Sequence, residues 1–149
     1  MKKKSFMRKV SILLIILTVS IFLGCVEDDD NISFFYELVP VESVDIPEAF
    51  VTGKTYKIKT SFFRPTTCHT FSGYDYRRSE NKRTVSIVNI VFNERACDTL
   101  PKKDTTTVSF DFIAGREKSY IFEFWQGEDA AGKNQFLTVE VPVVQEEPN

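Results

Sequence analysis

The stretch Tyr56–Ser61, with the sequence YKIKTS, decides the fold class because Tyr56, Ile58 and Thr60 alternate with the more polar Lys57, Lys59 and Ser61. A period of two residues is typical of a β-strand that buries one face and exposes the other. The same pattern recurs at Val108–Phe112, with the sequence VSFDF. Both stretches therefore predict half-buried strands.

Further strand candidates lie between clusters of glycine, proline and polar residues, and no convincing amphipathic helix appears. They are Phe34–Val39, Cys68–Tyr76, Thr84–Asn93, Ser119–Gln126 and Gln135–Val144. Such spacing predicts an all-β fold, an immunoglobulin-like antiparallel β-sandwich of about seven strands, with a small barrel as the alternative. The phenylalanines expected to fill its core are Phe62, Phe92, Phe110, Phe112, Phe122, Phe124 and Phe136.

The first 24 residues have the pattern of a secretory signal peptide. A basic start is followed by a mostly apolar run over 10–23, which is short for a membrane span. Leu23-Gly24-Cys25 resembles the lipobox of bacterial lipoproteins, although Phe22 departs from the usual aliphatic residue. The resemblance implies that Cys25 is acylated and begins the mature chain, and two or more acyl chains give stable attachment to a membrane.

An acidic run follows the cysteine. Glu27, Asp28, Asp29 and Asp30 resemble the export signal that sends Bacteroidetes-type lipoproteins to the cell surface, and a solvated spacer is the alternative interpretation. We therefore expect an outer-membrane protein, anchored by lipid and facing the cell surface.

The mature chain is acidic and has the length of one domain. Removal of residues 1–24 leaves 14 basic against 21 acidic side chains, a formal charge of −7, which gives no support to nucleic-acid binding. We expect residues 25–33 to form the lipidated tether and residues 34–149 to form the β-sandwich domain.

Two cysteines and one histidine limit the chemistry of the domain. In an oxidising envelope Cys68 and Cys97 are expected to form a disulfide. His69 follows Cys68, but adjacent strand residues point to opposite faces, so a thiol–imidazole pair is not expected. A single histidine also removes zinc sites built on several imidazoles, and His69 is expected to be a surface or half-buried polar residue. No catalytic residue, metal or cofactor is predicted.

Aromatic and basic residues indicate a binding surface. If the neighbouring phenylalanines fill the core, Trp125 faces outward and could join Tyr74 and Tyr76 in an aromatic platform for a sugar ring or a protein, while a tryptophan that caps the sandwich is the alternative. A basic cluster surrounds the turn that follows the two tyrosines; its members are Arg77, Arg78, Lys82 and Arg83. It fits a hairpin tip that protects a sheet edge, or a contact with acidic glycans or lipid headgroups.

Two tripeptides after Cys97 resemble the short O-glycosylation signal of exported Bacteroidetes-type proteins. They are Asp98-Thr99-Leu100 and Asp104-Thr105-Thr106. Thr99 and Thr105 are therefore candidate glycosylation sites.

From Glu37 onward the chain resembles a group of small Bacteroidetes-type lipoproteins. The residues that carry this resemblance are Pro40–Pro47, Cys68–Phe71, Arg83–Val85, Cys97, Phe122–Gly127 and Leu137–Pro142. The resemblance implies a lipid anchor and a β domain, and no activity comes with it.

These patterns favour a non-enzymatic binding or accessory module that is displayed on the cell envelope and recognises a glycan or an envelope protein. One alternative is a small surface hydrolase that uses a pair of carboxylates. Its candidate residues are Asp75, Glu94, Asp111 and Glu123. Another alternative is a protease-inhibitor-like domain.

Overall fold

The computed structural model describes residues 33–93, 96–102 and 105–145. They belong to one compact unit, Ile32–Asn149. The predicted signal peptide, Cys25, the acidic run Glu27 to Asp30, and Glu94 all lie outside the described residues. In the described part of the chain no helix is long and apolar enough to cross a membrane.

All regular elements of the described residues are strands. They are β1 (Phe34–Val39), β2 (Ser43–Asp45), β3 (Phe50–Val51), β4 (Thr55–Phe63), β5 (His69–Ser79), β6 (Lys82–Phe92), β7 (Thr105–Ile113), β8 (Ser119–Glu128) and β9 (Asn134–Val144).

The strands form a large sheet and a small one. In the large sheet β5 pairs along one edge of β6, while β8 and β1 share the other edge. β9 pairs with β8, and the short β3 pairs with β9 as the last strand at that end of the sheet. The small sheet has the order β2-β4-β7 and is antiparallel throughout.

The two sheets pack together around an aromatic core. Phe122 of the large sheet lies 5.1 Å, between ring centroids, from Phe112 of the small sheet. The largest fully buried side chains are Phe50, Phe62, Phe122, Phe124, Ile58, Ile87, Val41, Val85, Val141, Asn89 and Thr60. The prediction of an all-β sandwich is confirmed, whereas its immunoglobulin-like type stays a prediction.

Two features differ from the expected antiparallel sandwich of about seven strands. The pairings β6–β8 and β3–β9 are parallel, since the chain crosses over through the small sheet between β6 and β8. In addition β2 and β3 are strands of three and two residues, too short for the period-two pattern to be visible.

The phenylalanine core was predicted in part. Phe62, Phe112 and the pair on β8 are buried, but Phe136 is 38% exposed because it pairs with Trp125 on the outer face of the sheet. Phe50, which no strand pattern marks, is fully buried instead.

Candidate functional site

The β5–β6 hairpin positions the candidate site. Ser79 pairs with Lys82, and Glu80 has a φ of 52°, so the connection is a two-residue turn with a left-handed residue. Arg78 pairs with Arg83 one step before the turn. The register therefore fixes which basic side chains share a face.

Strand parity sends two of the four basic side chains toward the second sheet. Tyr76 pairs with Val85 and Val85 pairs with Phe124, and both partners are fully buried, so these three residues mark the inner face of the sheet. Arg78 and Arg83 lie two residues further along their strands and share that face. The predicted basic cluster is thus divided between two faces.

An open groove of about 550 Å³ lies where β5 of the large sheet faces β7 of the small sheet. Both strands have a pairing partner on one side only among the described residues. The groove is lined by Tyr74, Tyr76, Arg78, Arg83, Phe110, Asp111, Phe112 and Ile113. It combines aromatic walls with two guanidinium groups.

The aromatic walls of the groove are held in place by contacts across the two sheets. The hydroxyl groups of Tyr74 and the buried Thr60 form a hydrogen bond of 2.9 Å. The ring of Phe110 lies 5.1 Å from that of Tyr74 and 5.8 Å from that of Tyr76, edge to face in both cases. Tyr76 is 41% exposed, so it offers ring surface to a ligand while its neighbours fix it.

Burial raises the pKa of both tyrosines. For Tyr74 the hydrogen bond with Thr60 offsets part of this rise in pKa. For Tyr76 the charge and hydrogen bond of Arg83 offset part of it. Both hydroxyl groups are therefore neutral hydrogen-bonding groups at physiological pH.

The two arginines of the groove have different surroundings. Arg83 donates from Nη1 to the carbonyl oxygens of Glu80 and Lys82, at 2.7 Å each, and its guanidinium lies 4.8 Å from the centroid of the Tyr120 ring. Arg78 forms no ion pair with any residue that the structure describes. Asp111, the acidic residue of the groove, is paired with Lys57 at 3.0 Å.

Trp125 does not join the two tyrosines, which corrects the predicted platform. Phe124, its neighbour on β8, faces the core, so Trp125 faces the outer side of the sheet. There its Nε1 donates to Oδ1 of Asn134 at 2.7 Å. Tyr74 and Tyr76 lie on the inner face of the sheet instead. The sequence shows which side chains of one strand share a face, but it does not show the register between strands, so it could not tell that Trp125 and the tyrosines lie on opposite faces.

His69 is the buried member of a hydrogen-bond network that sequence analysis missed. Its side chain is 9% exposed, with Nε2 2.8 Å from Oε2 of Glu37 and Nδ1 2.8 Å from Oγ1 of Thr66. The Thr66 hydroxyl accepts the N–H of Cys68 at 3.2 Å, so its own proton is free to be donated to Nδ1. Nε2–H is then donated to the Glu37 carboxylate. The expectation of a surface or half-buried histidine is wrong, because both ring nitrogens have partners that make burial tolerable.

The order hydroxyl, imidazole, carboxylate is also that of an acyl-transfer triad. Here the network joins β1, the start of β5 and the turn between β4 and β5. Thr66 is held by a backbone N–H and by its bridge to Thr99, so we assign the network a role in fixing the chain.

The predicted disulfide is confirmed. Cys68 and Cys97 are bonded, with their Cα atoms 5.5 Å apart. The bond fastens the turn before β5 to the loop after β6. In that loop Thr99 is exposed, and Thr105 is the exposed first residue of β7. O-glycosylation of these two threonines stays a prediction.

The three carboxylates proposed for a hydrolase that the structure describes lie in separate ion pairs. Asp75 accepts from Arg77 at 2.5 Å, and Glu123 accepts from Lys82 at 2.7 Å. Both strand positions face outward, whereas Asp111 lines the groove. Among the described residues there is no group of three or more His, Cys, Asp or Glu side chains that could hold a metal ion.

A second apolar surface lies on β1. Phe34, Phe35, Tyr36 and Leu38 are 40–61% exposed, and β1 pairs only with β6 in the described part of the chain.

No family model, curated protein or solved structure matches this chain.

Proposed function

We propose that this chain is a lipid-anchored, non-enzymatic binding module of the cell envelope, and that the β5–β7 groove binds a glycan. The groove itself is the observation that carries the proposal. It is open, it has aromatic rings fixed from both sheets, and its polar groups come from tyrosines and arginines. Sites with a few polar groups among aromatic walls are typical of specific binding.

The exposed ring of Tyr76 suits a sugar because a flat aromatic face covers one side of a pyranose at little cost in side-chain entropy. The hydroxyl groups of Tyr74 and Tyr76 are neutral and can accept or donate to sugar hydroxyls. Trp125, on the other face of the sheet, has no part in this site.

Binding of an oligosaccharide panel to the mature chain, measured by calorimetry, tests the proposal. Tyr76→Ala should weaken the affinity for a bound sugar about ten-fold, by the usual contribution of one aromatic contact. Trp125→Ala is the matched control and should leave the affinity unchanged. The proposal fails if no carbohydrate binds, or if the two variants lose affinity equally.

The proposed lipid anchor and cell-surface location rest on the N-terminal sequence pattern, with Cys25 as the acylated residue and Glu27 to Asp30 as the export signal. Protease treatment of intact cells should release the domain. Full protection would contradict the export signal and favour an accessory role on the periplasmic side.

A further inference from the structure

Arg78 and Arg83 stand directly opposite each other on the inner face of the β5–β6 hairpin. Like charges at paired positions of a sheet repel and destabilise it. Such a pair needs a counter-charge, and the described residues of the groove offer only Asp111, which is already paired with Lys57.

The outer face of the same hairpin shows the contrast. Arg77 is neutralised by Asp75, and Lys82 is neutralised by Glu123. Among the described residues, the sheet therefore supplies a carboxylate for each outward basic side chain of this turn and none for the two that face the groove. The two arginines without a carboxylate partner among the described residues are thus the two that line the aromatic groove.

The two guanidinium groups can form an anion site. The ring of Tyr120 and two backbone carbonyl groups hold Arg83, which also forms a hydrogen bond with Tyr76. A guanidinium has five N–H donors, so Arg83 keeps donors for a ligand beyond these three hydrogen bonds. A guanidinium presents parallel N–H groups that match the two oxygens of a carboxylate. The exposed face of Tyr76 lies beside both arginines in the groove.

We infer that the groove selects acidic glycans, with the carboxylate of a uronic acid held between Arg78 and Arg83 and a sugar ring against Tyr76. This inference rests on the proposed glycan-binding function and names its ligand class. A glycan is favoured over an anionic lipid surface on grounds of charge. The mature chain has a formal charge of −7, so an extended anionic surface repels it. A single carboxylate, in contrast, meets only the local pair of arginines.

Calorimetric titration of the mature chain with tetragalacturonate and with its methyl ester tests the inference. The two probes have the same rings and differ in charge. We expect the acid to bind at least about ten-fold more tightly than the ester at low salt, with the difference shrinking as salt rises. The inference is overturned if the ester binds as tightly as the acid, and in that case the glycan-binding function still stands.

Two variants locate the charge effect. Arg78→Gln should remove most of the preference for the acid, and it breaks no ion pair within the described chain. Arg77→Gln, on the outer face, is the matched control and should keep the preference. Equal losses in both variants overturn the inference, with thermal melts used to confirm that each variant is folded.

The other outcomes are also distinct. If neither probe binds and no sugar of the panel binds, the proposed function fails together with the inference. Binding to phosphatidylglycerol vesicles that depends on Arg78, without binding to either sugar, identifies a lipid headgroup as the ligand and overturns the inference.

Discussion

The disulfide offers the sharpest test of how this small sandwich is stabilised. The perturbation is the double substitution Cys68→Ala and Cys97→Ala. Cys97 is exposed, and alanine keeps the Cβ atom of Cys68, so the substitution removes the cross-link and little packing. The change should therefore act through the unfolded chain.

The magnitude follows from the loop that the bond closes. The cysteines are 29 residues apart, and the chain-entropy relation for a loop of about 30 residues gives about 3.6 kcal/mol at 25 °C. For a domain of this size, a loss of 1 kcal/mol in the free energy of unfolding lowers the midpoint of thermal unfolding by about 3–5 °C, as the entropy of unfolding dictates. We expect the midpoint of thermal unfolding to fall by about 10–18 °C.

Urea unfolding followed by Trp125 fluorescence measures the loss of free energy. The slope of unfolding free energy against urea should also rise, because the unfolded chain without the bond exposes more surface. Wild-type protein in reductant is the control: it keeps both side chains and should match the double variant. A loss below about 1 kcal/mol in both samples would refute the reasoning.

Other predictions follow from the core, the His69 network and the groove. Phe122→Ala should lower the free energy of unfolding by about 3–5 kcal/mol in urea melts, because a fully buried ring is lost from an aromatic cluster; a loss below about 1.5 kcal/mol would contradict its place in the core. Glu37→Gln should cost about 1 kcal/mol, because the hydrogen bond from His69 loses its charged acceptor, and an unchanged midpoint would refute the network. Stability should fall as pH rises above 10, because the folded state keeps protons on Tyr74 and Tyr76 that the unfolded state has released; the double variant with phenylalanine at both positions should show a shallower fall.

Individual residues show how far the sequence leads. The bounds predicted for Phe34–Val39 agree with β1, because flanking polar and proline residues mark its ends. The strand at Ser119 also begins where expected, and Phe122 and Phe124 are buried as their parity requires. Local alternation is enough for such strands because one face of each is buried.

Phe50 and His69 are buried by contacts that the sequence pattern does not predict. Phe50 lies in a strand of two residues, and it is buried only because β9 passes beside it and rings of both sheets surround it. His69 is buried because Glu37, 32 residues away, lies within hydrogen-bond distance across β6. Neither contact leaves a periodic pattern in the sequence.

By itself the sequence determined that the domain is all-β and which side chains of each strand share a face, because both depend on a two-residue period that is local to the chain. It also predicted the pairing of Cys68 and Cys97, since these are the two cysteines of the predicted β domain and two cysteines have one way to pair. Only the tertiary structure decided that Trp125 and the two groove tyrosines lie on opposite faces, and that Arg78 and Arg83 share the groove while Arg77 and Lys82 do not. Register between strands is the reason, because it is set by pairing across the sheet and by core packing far along the chain.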